Sequence, residues 1–426
     1  MKRIFRLFPV LVAVFCLMST ALADGNTFTF PQDLKMIERE AFYGVSNLTS
    51  AALPEGVEKI ENLAFANTSL RKITIPASVS YIADDAFDGC EGMQVIAPKR
   101  SYALQWAADH GFAAKSPADE SCFTYELVGD TITITDYISP DREVIVPSYI
   151  EGHLVTSIGK SAFSGHSQLN SVELPDGITS IGAFAFYGCS GLYSINLPDG
   201  ITSIGQYAFY DCRRLTSIDL PDRITAIEQY TFDNCNDLTS IDLPDGLTAI
   251  GASAFYECES LTSIDLPDGI HLIDASAFSG CSSLTSIDLP DGITSIYRNT
   301  FSGCSSLTSV DLPEGLTYIG DNAFAYCSSL ISIDLPDGIT KIHPGTFSWC
   351  SSLTSIDLPE GLTYIYYTAF YVCSSLTSIS MPAGVTYIDD SAFTYCSSDL
   401  VIYGKVGSVA EIYAKEKNIH FVALPD

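Results

Sequence analysis

The chain has 426 residues, with 51 acidic against 21 basic side chains and a formal charge of −30. That excess excludes nucleic acid and anionic membrane surfaces as partners, because both need a basic face. An apolar content of 47% excludes disorder and supplies ample core.

The first segment reads as an export signal. Lys2, Arg3 and Arg6 precede an apolar stretch from Leu7 to Met18, and Ala21-Leu22-Ala23 offers a small-residue cleavage site. The apolar run is too short for a membrane anchor, and Phe15 before Cys16 argues against lipoprotein processing. No later run has membrane-spanning length. Residues 1–23 are therefore expected to be removed, leaving a protein that is secreted or held at the cell surface.

Residues 24–113 read as a short repeat array. Phe42, Phe65 and Phe87 recur at intervals of 23 and 22, each followed by a proline, Pro54, Pro76 and Pro98. "SYALQWAADHGF", from Ser101 to Phe112, closes it as an amphipathic helix. Residues 114–121 read as a linker and 122–426 as a long array. That array opens on a hairpin, Phe123 to Tyr137, and ends on a second helix in "SVAEIYAKEKNI", Ser408 to Ile419. Ser408 and Glu411 form a capping box, and Gly111 and Asn418 stand where a helix end takes positive φ. Both helices are expected to cap their arrays.

Within the long array the period is strict. Cysteine falls at 189, 212, 235, 258, 281, 304, 327, 350, 373 and 396, every step being 23, and "SLTSIDLPDGI" occurs at both 260–270 and 283–293. In S-I-D-L-P the apolar residues alternate with polar ones, which predicts a short strand with one buried face. Proline ends the strand, D-G supplies a turn with glycine free to take positive φ, and T-S-I-G gives a second extended piece. A-F then turns the phenylalanine ring inward. One coil cannot bury its own Ile, Leu and Phe, so coils must stack at strand spacing, ~4.8 Å. These features predict a leucine-rich repeat solenoid of short strands and turns, in two capped arrays.

The units I-P/L-P…I-T-S-I-G-x-x-A-F-x-G-C-S-S-L, the helical caps and the hairpin leading into "IVPSYIEGHLVTSIGKSAF" (145–163) resemble the BspA-type leucine-rich repeat family over about residues 30 to 422. The resemblance implies a surface or secreted protein of a host-associated organism. Some members of that family are adhesins for host extracellular-matrix proteins, which implies a binding role.

Four residue patterns bear on function. All mature cysteines except Cys122 occupy one repeat position, which elsewhere holds Val45, Thr68 or His166. A disulfide needs Cβ atoms near ~3.8 Å and zinc needs converging ligands, whereas stacked coils give a line. The column is read as buried, unreactive thiols, and no metal or cofactor is expected.

Two acidic columns stand out, one beside the buried Ile of the strand and one after the proline. One holds Glu173, Asp219, Asp242, Asp265, Asp288, Asp311, Asp334 and Asp357; the other runs from Asp176 and Asp199 to Asp337 and Glu360. Unit charges ~4.8 Å apart repel by about 0.9 kcal/mol in water before screening. The columns either keep the array soluble and block sideways association or dock a basic partner.

Late coils break the monotony with Tyr297, Tyr318, Lys341, His343, Tyr364, Tyr366 and Tyr387 on both sides of the second buried Ile, a stripe on the outer face. Tyr326, Trp349 and Tyr395 are expected beside it. Exposed aromatics of this kind mark an interface or glycan platform, or else merely cover backbone. The six histidines are scattered, and no set of unlike residues converges once, so catalysis is not expected. These patterns describe a monomeric, non-enzymatic exported binding protein for an extracellular or host protein, with a glycan as a further possible ligand. The near-identical middle coils keep a spacer role open.

Overall fold

The computed structural model describes residues 27–424, so the export-signal reading for residues 1–23 lies outside it. The repeat unit folds as its alternation demands. Ser-Ile-Asp triplets form three-residue strands such as Ser217–Asp219, Ser240–Asp242 and Ser286–Asp288, with Ile inward and both neighbours exposed. The second extended piece contributes two-residue strands such as Ser295–Ile296 and Tyr318–Ile319. Pairing is parallel and in register one repeat apart: Ile218 faces Ile241, and Ile342 faces Ile365.

The turn between the two strands corrects one expectation. In Pro-Asp-Gly-Ile the Pro carbonyl accepts the Ile amide, 3.1 Å for Pro175 and Ile178. The glycine there does not take positive φ. A Cβ on Gly292 would instead lie 2.9 Å from the Ile270 carbonyl oxygen, and one on Gly338 2.7 Å from that of Leu316. At Gly292 and Gly338 the preceding coil passes too close for a side chain, whereas the nearest atom to a Cβ is 3.7 Å away at Gly246 and 3.8 Å at Gly315, and Arg223 fills the same position in its coil.

The chain divides into two compact units. One holds the described residues up to Ile158 with Val172–Ser180 and Leu197–Ile201; the other holds Gly159–Ser171, Ile181–Asn196 and Thr202 onward. In the first unit, Thr27–Thr29, Ser50–Ala52, Lys72–Thr74, Gln94–Ile96 and Ala113–Lys115 make a five-stranded parallel sheet. Phe42, Phe65 and Phe87 stack behind it at 5.0 and 5.3 Å between ring centroids. The helix Tyr102–Asp109 closes the stack, with Trp106 tilted 57° against Phe87 at 5.6 Å. Within 114–121, the Ala118 amide donates to the Ile145 carbonyl at 2.9 Å. The hairpin forms as expected: Phe123–Val128 pairs antiparallel with Thr131–Tyr137, which pairs parallel with His153–Ile158.

In the second unit eleven phenylalanines, Phe163 to Phe393, form one continuous stack with centroids 5.0 to 5.8 Å apart and planes within 18°. The helix Val409–Lys417 ends it by setting Tyr413 edge-on to Phe393 at 5.9 Å. Ser408 accepts the Glu411 amide, and Glu411 reaches back to the Gly407 amide, one residue earlier than the expected box. Asn418 takes φ 55° at the helix end and Gly111 takes 75° after the first helix, both as anticipated.

Threonines add an outer ladder. Thr239, Thr262, Thr285 and Thr308 each donate Oγ1 to the carbonyl one repeat earlier, at 3.2 to 3.5 Å. Among the described residues no helix is long and apolar enough to cross a membrane.

Candidate functional site

The late stripe is built by alternation. Ile319, Ile342, Ile365 and Ile388 point inward, which turns Tyr318, Lys341, Tyr364 and Tyr387 outward in one column. Register sets Lys341 against Tyr364 and Tyr364 against Tyr387. His343 and Tyr366 follow the same isoleucines and fill a second column. Tyr318 meets His343 edge-on at 4.9 Å, His343 stacks on Tyr366 at 5.6 Å, and Tyr364 lies 6.1 Å from both Tyr366 and Tyr387. Lys341 Nζ stands 5.5 Å over the Tyr364 ring. Burial among these rings lowers the His343 pKa, although Asp321 Oδ1 lies 3.6 Å from its Nδ1. Tyr387 donates its hydroxyl to Asp389 at 3.1 Å.

Six of the seven stripe residues therefore form one cluster across four coils. Tyr297 is exposed one coil earlier and joins no ring contact among the described residues. The intervening position is Gly320, packed so close that a Cβ would lie 3.0 Å from the Arg298 amide.

Tyr326, Trp349 and Tyr395 belong to a second cluster. Tyr326 stacks on Trp349 at 5.8 Å, Trp349 meets Tyr371 edge-on at 6.2 Å, and Tyr371 meets Tyr395 at 5.4 Å. Among the described residues no ring contact joins this cluster to the stripe. All three residues precede the cysteine and take left-handed backbone, φ 62°, 65° and 61°, where earlier coils place Gly280 and Gly303. A left-handed non-glycine residue costs roughly 1–2 kcal/mol. Tyr326 and Tyr395 are nonetheless 55% and 70% exposed. The same position is left-handed with Asp211, Asn234 and Glu257 in earlier coils, so the backbone belongs to the repeat, and the late coils use it to display large aromatic side chains.

The acidic column Asp219, Asp242, Asp265, Asp288, Asp311, Asp334 and Asp357 is exposed throughout. Asp219 faces Asp242, Asp288 faces Asp311 and Asp334 faces Asp357. The heads of the two columns are spoken for: Lys72 Nζ lies 2.8 Å from Asp176, with both side chains largely buried, and Lys115 Nζ lies 3.4 Å from Glu173. Among the described residues no group of three or more His, Cys, Asp or Glu is placed to hold a metal ion.

The thiol column has a hydrogen-bonding role that spacing did not reveal. Cys189 Sγ donates to the Phe163 carbonyl at 3.0 Å, and the contact recurs down to Cys396 and Phe370. Burial pushes the thiols of Cys189, Cys304 and Cys350 up to about 12, so these groups stay protonated and unreactive. Cys122 and Cys396 are only half-buried.

A third aromatic cluster escaped sequence reasoning. Phe184, Tyr207 and Tyr230 stack at 4.7 and 4.5 Å, and Tyr187 stacks on Tyr210 at 4.8 Å. The two columns tilt about 50° to each other and wall a groove that also contains Asp233. Its signal was the same 23-residue step, at turn positions where neither strand nor helix period tells which way a side chain faces.

A family model described as BspA-type leucine-rich repeat region matches residues 20–103, 156–285 and 271–399 in six copies. A search of curated proteins gave no match. Among solved structures, the chain is similar to a leucine-rich cell surface protein of Faecalibacterium prausnitzii, at 28% identity and a TM-score of 0.46, covering 70% of this chain and 96% of that one. A leucine-rich repeat protein of T. pallidum shows 32% identity and 0.38, covering 50% and 90%. One from Bacteroides ovatus shows 24% and 0.43, covering 72% and 99%. With most of its length matched by that model, the chain belongs to the BspA-type leucine-rich repeat family.

Proposed function

We propose that the protein is an exported, non-enzymatic binding protein that attaches to an extracellular or host macromolecule through its late coils. The observation that carries this reading is the exposed ring cluster Tyr318–His343–Tyr366–Tyr364–Tyr387, set on coils that also display strained aromatics. Tyrosines bury large area at low entropic cost and are frequent hot spots, whereas exposed charges mainly govern encounter. On this reading the stripe supplies affinity and the acidic columns supply steering.

The test is a pull-down with mature protein against matrix and mucosal extracts. Binding of the recovered ligand is then measured for wild type and for a variant with Tyr318, Tyr364, Tyr366 and Tyr387 changed to serine, at low and high salt. Affinity should collapse in the variant and depend little on salt, whereas docking on the acidic face would weaken steeply with salt, because exposed charges are screened within about 8 Å at physiological ionic strength. Unchanged affinity in the variant removes the stripe from the reading, and steep salt dependence moves it to the acidic face. The identical stretches at 260–270 and 283–293 favour a spacer instead, and failure to recover any saturable ligand would select that role.

A further inference from the structure

The groove of the early coils lies away from the late stripe in sequence and has a different chemistry. Its walls are two aromatic columns three residues apart on each coil, with Ser161 and Ser164 at one end and Asp233 at the other. Stacking hides most ring faces from solvent. Phe184 and Tyr207 cover each other with planes 6° apart, and Tyr187 and Tyr210 do so at 4°. A sugar, which needs a free ring face along its length, finds little to stack on.

The groove suits a cation better. At the Ser161 end a cation already stands over a ring, since Lys160 Nζ is 5.9 Å from the Phe184 centroid. In the second column Asp233 takes the place of a ring one repeat beyond Tyr210, and the column resumes with Tyr256 one repeat further on. The Asp233 side chain is buried, and Asn234 Nδ2 donates to its Oδ1 at 2.6 Å. Asp211 and Glu257 add negative charge beside it, while Arg213 binds Asp211 at 2.7 Å. A carboxylate set between tyrosine rings presents what a guanidinium uses: a flat electron-rich face and an anionic acceptor.

We propose that this groove docks an arginine side chain on an extended basic segment of a partner protein, its guanidinium over Tyr210 and paired with Asp233. The occupant is chosen by charge complementarity, since Asp233 lines the groove with Asp211 and Glu257 nearby, and the chain carries a net charge of −30. Lysine fits less well, because a compact ammonium gains less from a ring face and cannot bind a carboxylate through two parallel donors.

Hexa-arginine, hexa-lysine and hexa-glutamate peptides serve as probes, titrated calorimetrically into the full mature chain. Hexa-arginine should bind saturably at one site, more tightly than hexa-lysine, and hexa-glutamate should not bind. Asp233→Asn and Tyr210→Ser should each weaken hexa-arginine roughly tenfold, while Asp265→Asn with Asp288→Asn, in the acidic column, should leave it within about twofold. Burial pushes the Asp233 carboxyl up to about 7, so binding should tighten from pH 6 to pH 8 in wild type and not in Asp233→Asn. The tyrosines facing Asp233, Tyr207, Tyr210 and Tyr256, have their pKa raised, so they stay neutral across that range. Circular dichroism checks each fold, and if Asp233→Asn fails to fold, Tyr210→Ser decides. Absence of saturable binding, or equal losses in the acidic-column variant, would overturn the proposal. The four-tyrosine variant of the late stripe should keep hexa-arginine binding, which separates failure here from failure of the adhesion reading.

Discussion

The middle coils, around residues 239–311, and the late coils, 318–395, share one interior and one exposed acidic column and differ outside in the residues flanking the second strand and preceding the cysteine. In both, Phe rings stack at similar spacing, as 5.4 Å for Phe255–Phe278 and 5.5 Å for Phe347–Phe370. In both, the cysteine thiol donates to a Phe carbonyl at 3.2 or 3.1 Å, as for Cys281 and Cys373. Outside, the middle coils show Ser295 and Gly303 where the late coils show Tyr318, Tyr326 and Trp349. Stacking constrains each inner letter twice, from the coil before and the coil after, so it changes little, though the cysteine slot also takes Val45, Thr68 and His166. Outer letters answer only to solvent and to whatever binds there.

The largest test of the shared interior is alkaline pH. An unfolded thiol has a pKa near 9, and burial raises Cys189, Cys304 and Cys350 to about 12. The folded state therefore holds protons that the unfolded state releases. The stability this gives is fully present below pH 9 and is lost as pH rises toward 12. Because middle and late thiols share this environment, both regions should fail together across that window, followed by hydrogen exchange. Serine at 281 and 304 should blunt the loss, relative to its own stability at pH 7. An array that softens only in its late coils would break the comparison.

Next in size is the ring stack itself. Phe278→Ala in the middle and Phe347→Ala in the late coils should each cost about 3–5 kcal/mol, the usual penalty for emptying a buried aromatic site. Both rings are fully buried. Denaturant unfolding should give equal losses for the two within error, and a large difference would mean that the interiors are not equivalent.

How much of this was legible depended on whether a position answers to its own strand or to a neighbouring coil. The Phe and Cys columns and the outward stripe followed from period and alternation alone. Glycine in Pro-Asp-Gly-Ile was legible as a turn, but at Gly292 its reason is the Ile270 carbonyl of the preceding coil. Asp176 read as one more exposed acid because its partner, Lys72, is more than a hundred residues away. The left-handed backbone of Tyr326 and Trp349 was hidden because aromatic side chains ordinarily avoid it. Phe184, Tyr187, Tyr207 and Tyr210 lie in turns, where no periodicity assigns a face.

The position before the cysteine sharpens the difference between the two regions: its backbone is left-handed in both, with Glu257, Gly280 and Gly303 in the middle coils and Tyr326 and Trp349 in the late ones. Gly303 has φ 79°, and a Cβ there would sit 3.5 Å from Gly280, an ordinary contact. Gly303→Tyr should therefore fit sterically and cost about 1 kcal/mol for left-handed backbone, and Trp349→Gly should recover a similar amount. Melting temperatures of the two variants test this. If Trp349→Gly is destabilising, the Tyr326–Trp349–Tyr371 cluster is a structural brace and not a displayed surface.

The smallest expected effect lies at Ile331, where the outer threonine ladder is interrupted. Thr308 donates its hydroxyl to the Thr285 carbonyl at 3.2 Å, and Thr354 reaches the Ile331 carbonyl at 3.5 Å, but Ile331 has no hydroxyl to offer Thr308. Its side chain is instead 52% exposed. Ile331→Thr restores a donor one repeat from the Thr308 carbonyl, which already accepts the Ile331 amide at 3.3 Å. An added hydrogen bond at an exposed site should contribute about 0.5 kcal/mol, at the low end of the net range for such bonds. The variant should therefore melt at or slightly above the parent. An apolar side chain kept at a position where the scaffold gains from threonine belongs to the displayed surface of the late coils. A ligand of those coils should accordingly bind the variant more weakly while stability holds. Lower stability in Ile331→Thr would instead make this isoleucine part of the packing and narrow the late surface to its aromatic residues.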